Sequence, residues 1–334
     1  MSEIATFIPV DEWIGKAEVL DAVGGLPQTH HVHDEPSLHA INAALAAGRP
    51  LLVRGEPGTG KSQLARAAAK RLGRRFVWRV MDVQARVSDL FYSFDAVERL
   101  AQAQVAGALC AAGVHRPHEV AGVLAESNFI RPGPLWWAFD AGTADAWPNP
   151  YVDTGGPSVE VPYVVLIDEI DKTDPSVPNG LLEALGQGTF PVRRSSVSLH
   201  HNRQQPPLVV ITTNNERELP GAFVRRCMVH QIEMKKPGQG LEQWLEERGR
   251  THFPKLAPRL LREAAELLCE DREAARELGI VPPGQAEYLD LLRAVGRLGR
   301  DEGDQRRLLE KIADFALKKH PELREPEESA GHRR

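Results

Sequence analysis

Residues 55–62 form a glycine-rich segment, GEPGTGKS, in which a lysine and a serine directly follow the last glycine. It fits the pattern GxxxxGK[ST] and lies between a predicted strand and a predicted helix, as that pattern requires. Its glycines let backbone N–H groups turn towards phosphate oxygens, and the helix presents its positive end to them. Lys61 is expected to contact the β- and γ-phosphates of a nucleotide, and the Ser62 hydroxyl to bind Mg²⁺. The predicted nucleotide-binding residues are Gly55, Glu56, Pro57, Gly58, Thr59, Gly60, Lys61, Ser62 and Gln63.

Two carboxylates, Asp168 and Glu169, follow the apolar run VVLI about a hundred residues further along the chain. Apolar strands often end in acids, so the pair becomes informative only together with the phosphate-binding segment. Asp168 is then expected at the Mg²⁺ ion, and Glu169 is placed to activate a water molecule for attack on the γ-phosphate. A base supplied by the protein favours hydrolysis over transfer to a small acceptor.

An amide and two guanidinium groups follow the next apolar run. Asn214 ends the segment PLVVITTN, where an amide could orient the attacking water; a turn-forming asparagine is the alternative. Arg225 and Arg226 come next, on a predicted short helix. Adjacent arginines usually form a solvated face. Their closeness in sequence to Asn214 also allows a γ-phosphate contact.

The elements that must position these residues alternate along the first two thirds of the chain. Apolar strands are predicted at 51–55, 76–80, 163–169 and 207–214, with helices between them, which favours a parallel sheet covered on both faces. Ser37 is a plausible N-cap for the first helix, and residues 86–112 are predicted to be helical. Beyond residue 237 no strand is predicted. Amphipathic segments at 241–250, 256–277, 284–298 and 304–319 indicate a small all-helical second domain.

The composition is that of a globular protein. The 334 residues include 42% hydrophobic and 26% charged residues, with a net charge of −5. This mild acidity argues against a protein that mainly coats nucleic acid. We expect a cytoplasmic protein without a membrane segment. The three cysteines form no CxxC pair, no apolar run is long enough to span a bilayer, and the N-terminus has no basic region.

Taken together, the motifs resemble those of the MoxR family of AAA+ ATPases. The resemblance is carried by the segments just described and by DLFYSFDAVERL (89–100), GPLWWAF (133–139), IDEIDK (167–172), residues 211–227 and PPGQAEYLD (282–290). It covers roughly residues 36–298.

This resemblance implies an αβα sandwich with a parallel sheet, followed by a helical lid, that closes around ATP and Mg²⁺ between subunits of a ring, usually a hexamer. Asp168 and Glu169 would be the Walker B pair and Asn214 sensor 1. Arg226 would be the arginine finger, with Arg225 as its rival.

The resemblance also implies domain boundaries. Residues 1–35 are an N-terminal segment and 36–236 the nucleotide-binding domain, which includes a helix insertion at about 86–139 and a long loop at about 140–160. Residues 237–320 form the helical lid, and 321–334 are expected to be a disordered tail.

Two features depart from the family. Val281 stands where relatives often carry a basic residue before Pro-Pro, so the sensor 2 role is unassigned, and Arg293 is a weak substitute. The loop at 140–160 is longer than expected, and we assign it no function.

Other conspicuous residues receive structural interpretations. His30, His31 and His33 are expected in a solvated loop rather than a zinc site, although His33 and Asp34 could approach the adenine. Trp136 and Trp137 are expected to pack in the core or between subunits. Cys227 is expected to be a small buried hydrophobe.

The family suggests an ATP-driven remodeller of a partner protein, with a von Willebrand factor A domain protein as the expected partner. There are two alternatives: a nucleic-acid-acting or defence-associated AAA+ motor, and a nucleotide switch with little turnover. The acidic balance makes nucleic acid the less favoured partner. The absence of an NKxD-type motif favours ATP over GTP.

Overall fold

The computed structural model describes residues 6–112, 117–144, 161–192, 198–200 and 206–318. The helices are α1 (Val10–Trp13), α2 (Glu35–Ala47), α3 (Lys61–Arg71), α4 (Val87–Phe91), α5 (Ala96–Ala111), α6 (Pro117–Val123), α7 (Pro134–Phe139), α8 (Ala141–Ala144), α9 (Ser176–Gln187), α10 (Gly221–Val224), α11 (Leu241–His252), α12 (Pro258–Glu277), α13 (Gln285–Leu298) and α14 (Glu302–Ala316). The strands are β1 (Ala17–Leu20), β2 (Thr29–Val32), β3 (Leu51–Gly55), β4 (Arg75–Val80), β5 (Tyr92–Phe94), β6 (Ile130–Pro132), β7 (Tyr163–Asp168), β8 (Thr189–Pro191), β9 (Ser198–His200), β10 (Leu208–Thr213) and β11 (Met228–Ile232).

A five-stranded parallel sheet forms the centre of the fold, with the strand order β11-β3-β10-β7-β4. The register places Val210 opposite Leu51 on one side of β10 and opposite Leu166 on the other. The predicted parallel sheet is confirmed. Its fifth strand, β11, was not predicted; its residues MVHQI mix polar and apolar types, because it is an edge strand that pairs with β3 alone.

Apolar side chains cover both faces of the sheet, as expected for strands joined by helical crossovers. On one face, residues such as Leu52, Val165 and Ile211 pack with α7 and α9. On the other face, residues such as Val53 and Val164 pack with α2 and α3. The predicted αβα sandwich is therefore confirmed.

Helices α11 to α14, here called the helical domain, follow the sheet and have a core of their own. Leu245, Leu261, Leu268, Leu292 and Leu309 are buried together in it. The amphipathic pattern of this region arises because each helix buries one apolar stripe against the others. The predicted helical region after the sheet is confirmed.

Two predictions about helices were wrong. Asp34, not Ser37, caps α2, which begins two residues before Ser37: the backbone N–H of Ser37 donates to Oδ1 of Asp34 at 2.9 Å. Residues 86–112 are not continuously helical, because β5 interrupts them and pairs with β6 through the register Ser93–Arg131. Asp95 then caps the new helix α5.

The histidine-rich segment is not a solvated loop. His30 and His31 lie in β2, which pairs with β1 as an antiparallel hairpin. His33 is buried just beyond β2, and its Nε2 lies 3.0 Å from Oε2 of Glu18. The composition of this segment is typical of a turn. It is nevertheless buried, because it pairs with β1 and packs against the helical domain.

Part of the long loop, residues 145–160, and the expected tail, residues 321–334, lie outside the described residues. The start of that loop is the short helix α8, whose residues Ala141 and Ala144 are buried. In the part of the chain that the structure describes, no helix is both long and apolar enough to cross a membrane.

Candidate active site

The phosphate-binding segment is a tight loop between β3 and α3. Gly60 has φ +92° and precedes the first turn of α3, while Gly58 has φ +75°. A Cβ atom at Gly58 would lie 2.8 Å from Cβ of Ala286 in the helical domain. Both conformation and space therefore require glycine here. The loop presents the amino end of α3 at the carboxyl edge of the sheet, where an anion would be stabilised.

Lys61 is the first residue of α3, and its side chain turns back into the loop. It is only 7% exposed, and its ammonium donates hydrogen bonds to the carbonyl oxygens of Gly55 at 2.9 Å and Glu56 at 2.8 Å. Burial lowers the pKa of Lys61, and the nearby carboxylates, Asp168 first, oppose that effect. The cation is thus held against the backbone of the loop, and its contact with the phosphates stays a prediction.

Ser62 and Asp168 meet although they are 106 residues apart in sequence. The Ser62 hydroxyl lies 3.0 and 2.8 Å from the two carboxylate oxygens of Asp168, and the Thr212 hydroxyl also donates to that carboxylate. Mg²⁺ is usually bound by one or two carboxylates together with water and substrate phosphates. The hydroxyl and carboxylate of this pair fit such an ion.

Glu169 follows Asp168 in the left-handed conformation, with φ +61°. Its backbone N–H donates to the Thr212 hydroxyl at 3.0 Å. This turn directs its side chain towards β10, where Nδ2 of Asn214 lies 3.4 Å from Oε1 of Glu169. The predicted water-activating acid and the predicted water-orienting amide are therefore neighbours.

Asp171 is a site residue that the sequence reasoning missed. It is 2% exposed, and its Oδ2 accepts hydrogen bonds from the backbone N–H groups of Asn214 at 3.2 Å and Glu216 at 2.9 Å. It thereby fixes the turn that follows β10, where Asn215 has φ +59°. The sequence signal that could have identified Asp171 is its position in IDEIDK, three residues after Asp168.

The two predicted arginines lie at the other end of the parallel strands, on the side of their amino ends. Arg225 and Arg226 are both exposed. Arg226 lines a cavity of about 460 Å³ together with Pro50 and Leu208, which mark the amino ends of β3 and β10. The phosphate loop follows the carboxyl end of β3, about 16 Å away along five residues of strand. The structure does not bring either arginine to the phosphate loop of its own chain.

A second cavity, of about 380 Å³, adjoins the phosphate loop and is of a size that small ligands occupy. Its walls come from the hairpin, the start of α2, the loop, β11 and the helical domain, and include His31, Asp34, Ser37, Gln63, His230 and Gln285. Asp34 lies at this cavity, and its approach to an adenine stays a prediction. His33 does not line it, because its ring is turned to Glu18.

Two histidines at this cavity, His31 and His230, are neutral at pH 7. Burial lowers the pKa of His31 to about 3 and also lowers the pKa of His230. Nε2 of His230 lies 2.9 Å from the Ser37 hydroxyl. These two side chains thus make the cavity wall polar without adding a positive charge to it.

The helical domain reaches the phosphate loop through a residue that the sequence did not single out. Nη2 of Arg272 donates to Oε2 of Glu56 at 2.9 Å. Val281 is 63% exposed, and Arg293 is paired with Asp290 on the surface. The sequence held one signal for Arg272: it lies on the apolar stripe of α12, four residues after Leu268.

The remaining residues singled out by the sequence lie in the core. Trp136 and Trp137 are 4% and 2% exposed and pack against the sheet. Cys227 is also buried, and burial raises the pKa of its thiol to about 11. These residues pack as expected.

A glycine-rich loop between a parallel strand and a helix, with a serine–aspartate pair beside it, defines a P-loop nucleotide-binding protein. Residues 50–227 match the AAA domain family, dynein-related subfamily, over more than half of the chain. The chain therefore belongs to the AAA domain family.

Solved structures give more distant similarities. A candidate ATPase from Cytophaga hutchinsonii is 16% identical, with a TM-score of 0.36, over 84% of this chain and 79% of that one. A point mutant of RuvB from Thermotoga maritima is 14% identical, with a TM-score of 0.44, over 82% of this chain and 66% of that one. None of the curated proteins matches the chain.

Proposed function

We propose that this protein hydrolyses ATP to ADP and phosphate with Mg²⁺ as its metal ion. The observation that carries the proposal is the convergence of Lys61, Ser62, Asp168, Glu169 and Asn214 at the carboxyl edge of one sheet. Membership of the AAA domain family supports nucleotide binding in general. The acid and the amide beside the Ser62–Asp168 pair support hydrolysis in particular.

Each side chain has a defined task in this reaction. The loop N–H groups and Lys61 bind the phosphates, and Ser62 and Asp168 hold the metal. Mg²⁺, when bound, neutralises charge that develops on the phosphate oxygens. Glu169 accepts a proton from the attacking water, and Asn214 holds that water or the carboxylate in position.

The cavity beside the loop is the proposed site of the base. Its volume of about 380 Å³ and the uncharged His31 and His230 suit a neutral heterocycle. Gln63 and Gln285 offer amides that can both donate and accept hydrogen bonds. ATP remains the proposed nucleotide because no guanine-reading NKxD motif occurs in the sequence.

We further propose a MoxR-type ring, usually hexameric, that remodels a partner protein, with a von Willebrand factor A domain protein as the expected partner. Head-to-tail contacts between identical subunits close into rings. The placement of Arg226 and of the phosphate loop at opposite edges of the sheet supports such a contact, since one subunit would offer the arginine and the next the nucleotide. The three widely spaced cysteines, which form no CxxC pair, support a cytoplasmic location.

To test the proposal, ATP binding and phosphate release are measured for the variant Lys61→Ala. The variant should lose nearly all binding, because it removes the buried cation beside the phosphates. Lys70→Ala is the matched control: Lys70 lies on the same helix but pairs with Asp21 at the surface. Wild-type affinity in Lys61→Ala would contradict the proposal, as would failure of the wild-type protein to bind ATP.

A further inference from the structure

Arg272 of α12 is a fully buried cation at the junction of the helical domain and the phosphate loop. Its side chain is 0% exposed, and its carboxylate partner is Glu56, across a gap of 216 residues in sequence. Its Nη1 also donates to the carbonyl oxygen of Pro283. A buried charge is strongly destabilising when its partner is removed. The position of Glu56 is therefore tied to the helical domain.

Neighbouring contacts extend this junction. A Cβ atom at Gly284 would lie 3.1 Å from the carbonyl oxygen of Pro57, and one at Gly58 would lie 2.8 Å from Cβ of Ala286. Together with the ion pair, the helical domain thus contacts three successive residues of the loop.

Glu56 has two opposing effects on a bound phosphate. Its carbonyl oxygen accepts hydrogen bonds from Nζ of Lys61 at 2.8 Å and from the Thr59 hydroxyl at 2.9 Å, so its backbone position helps to set the loop. Its carboxylate, however, places a negative charge next to a site for polyanions. Arg272 compensates that charge from the buried side, while the Glu56 side chain stays 43% exposed on the other.

We propose that Arg272 is a positioning residue for nucleotide binding, which acts by holding and neutralising Glu56. This role rests on the proposed ATPase function. It couples the helical domain to the phosphate loop. A nucleotide that orders the loop stabilises the docked helical domain. The docked helical domain in turn increases the affinity for the nucleotide by the same factor. The ion pair assigns to α12 a contact with the loop that neither Val281 nor Arg293 makes.

A double-mutant cycle on the full-length protein tests this role, with the dissociation constant of ATP measured by calorimetry. Arg272→Met replaces the buried cation by an apolar side chain, and the Glu56 carboxylate that loses its partner is 43% exposed, so water can solvate it. It should weaken ATP binding about tenfold, within the usual range of coupling between sites. In a Glu56→Gln background, where no carboxylate needs compensation, the same change should alter the affinity by less than about twofold. Arg276→Met, which changes an exposed arginine one turn further along the same helix, should leave the affinity unchanged.

Each result separates this role from its alternatives. An unchanged affinity in Arg272→Met, or an equal loss in both backgrounds, would overturn the proposal, because a purely structural arginine does not act through Glu56. If thermal melting shows that Arg272→Met does not fold, Arg272→Lys takes its place. It should lose about threefold in the wild-type background and nothing with Glu56→Gln, because lysine keeps the charge but not the fork of donors. A wild-type protein that does not bind ATP would overturn the proposed function as well as this role.

Discussion

The ammonium of Lys172 donates a 2.8 Å hydrogen bond to Oε2 of Glu169, whose other oxygen lies 3.4 Å from the amide of Asn214. The bond to Glu169 raises the pKa of Lys172, so the lysine stays charged. Both oxygens of the proposed general base therefore already face donors. Lys172 and Asn214 therefore compete with the attacking water for the two oxygens of this carboxylate.

Replacing Lys172 by methionine should raise the kcat of ATP hydrolysis about two- to fivefold, the range expected for one solvent-accessible ion pair. The KM for ATP should not change, because Lys172 does not contact the phosphate loop. Its side chain is 38% exposed, so the substitution should leave the fold intact. Steady-state phosphate release measures both constants, with Lys311→Met as a surface control. A fall in kcat would instead show that the lysine holds Glu169 in its working position.

The sequence predicts most of this site because its signals are local. Residues 55–62 carry a complete motif, and Asp168, Glu169 and Asn214 each follow an apolar run. Parallel strands bring the ends of such runs to one edge. These signals needed no knowledge of distant contacts.

The residues that the sequence did not reveal depend on contacts between distant segments. Arg272 looks like one more charge on an amphipathic helix until α12 is packed against Glu56. His31 looks solvated until β2 pairs with β1 and packs on the helical domain. β11 lacks a continuous apolar run because it forms an edge of the sheet.

The stability of the protein should fall in mild acid because of His31. Burial above all, with smaller electrostatic contributions from His33, Arg248 and His252, lowers the pKa of His31 to about 3. An unfolded histidine titrates near pH 6.5. Between these values the unfolded chain binds a proton that the folded chain does not, so the free energy of unfolding decreases as the pH falls. At pH 5 this one residue should cost about 2 kcal/mol relative to pH 7.5.

Denaturant unfolding at pH 7.5 and pH 5 measures this effect. His31→Asn should show a smaller loss of stability between the two pH values than the wild-type protein does. The matched control is His39→Asn, since the side chain of His39 is 64% exposed and should not contribute. An identical pH dependence in His31→Asn and the wild type would show that His31 is not the group that titrates.

Arg226 should act on the nucleotide of a neighbouring subunit. Arg226→Ala should bind ATP normally but hydrolyse it poorly, since arginine fingers in other nucleotide hydrolases contribute about 10³–10⁵ in rate. Its exposed position at the amino edge of the sheet allows no contact with its own phosphate loop. Arg225→Ala, measured in parallel, tests the rival residue.

Mixing two inactive variants tests the direction of this contact. Glu169→Gln keeps the arginine and Arg226→Ala keeps the base, so mixed rings should regain turnover at interfaces that combine the two intact groups. Mass spectrometry of the mixture establishes co-assembly. Co-assembled variants without turnover would assign the role to Arg225 or remove it altogether.

The comparison of wild type with Glu169→Gln tests the central claim, ATP hydrolysis at this site, most directly. ATP affinity and phosphate release are measured on the same preparations with Mg²⁺ present. Glutamine keeps the shape of the side chain but cannot accept the proton from water. The wild-type protein should bind ATP and release phosphate, whereas Glu169→Gln should bind ATP equally well and release almost none. Phosphate release by Glu169→Gln at close to the wild-type rate, or none from the wild type itself, would contradict the account.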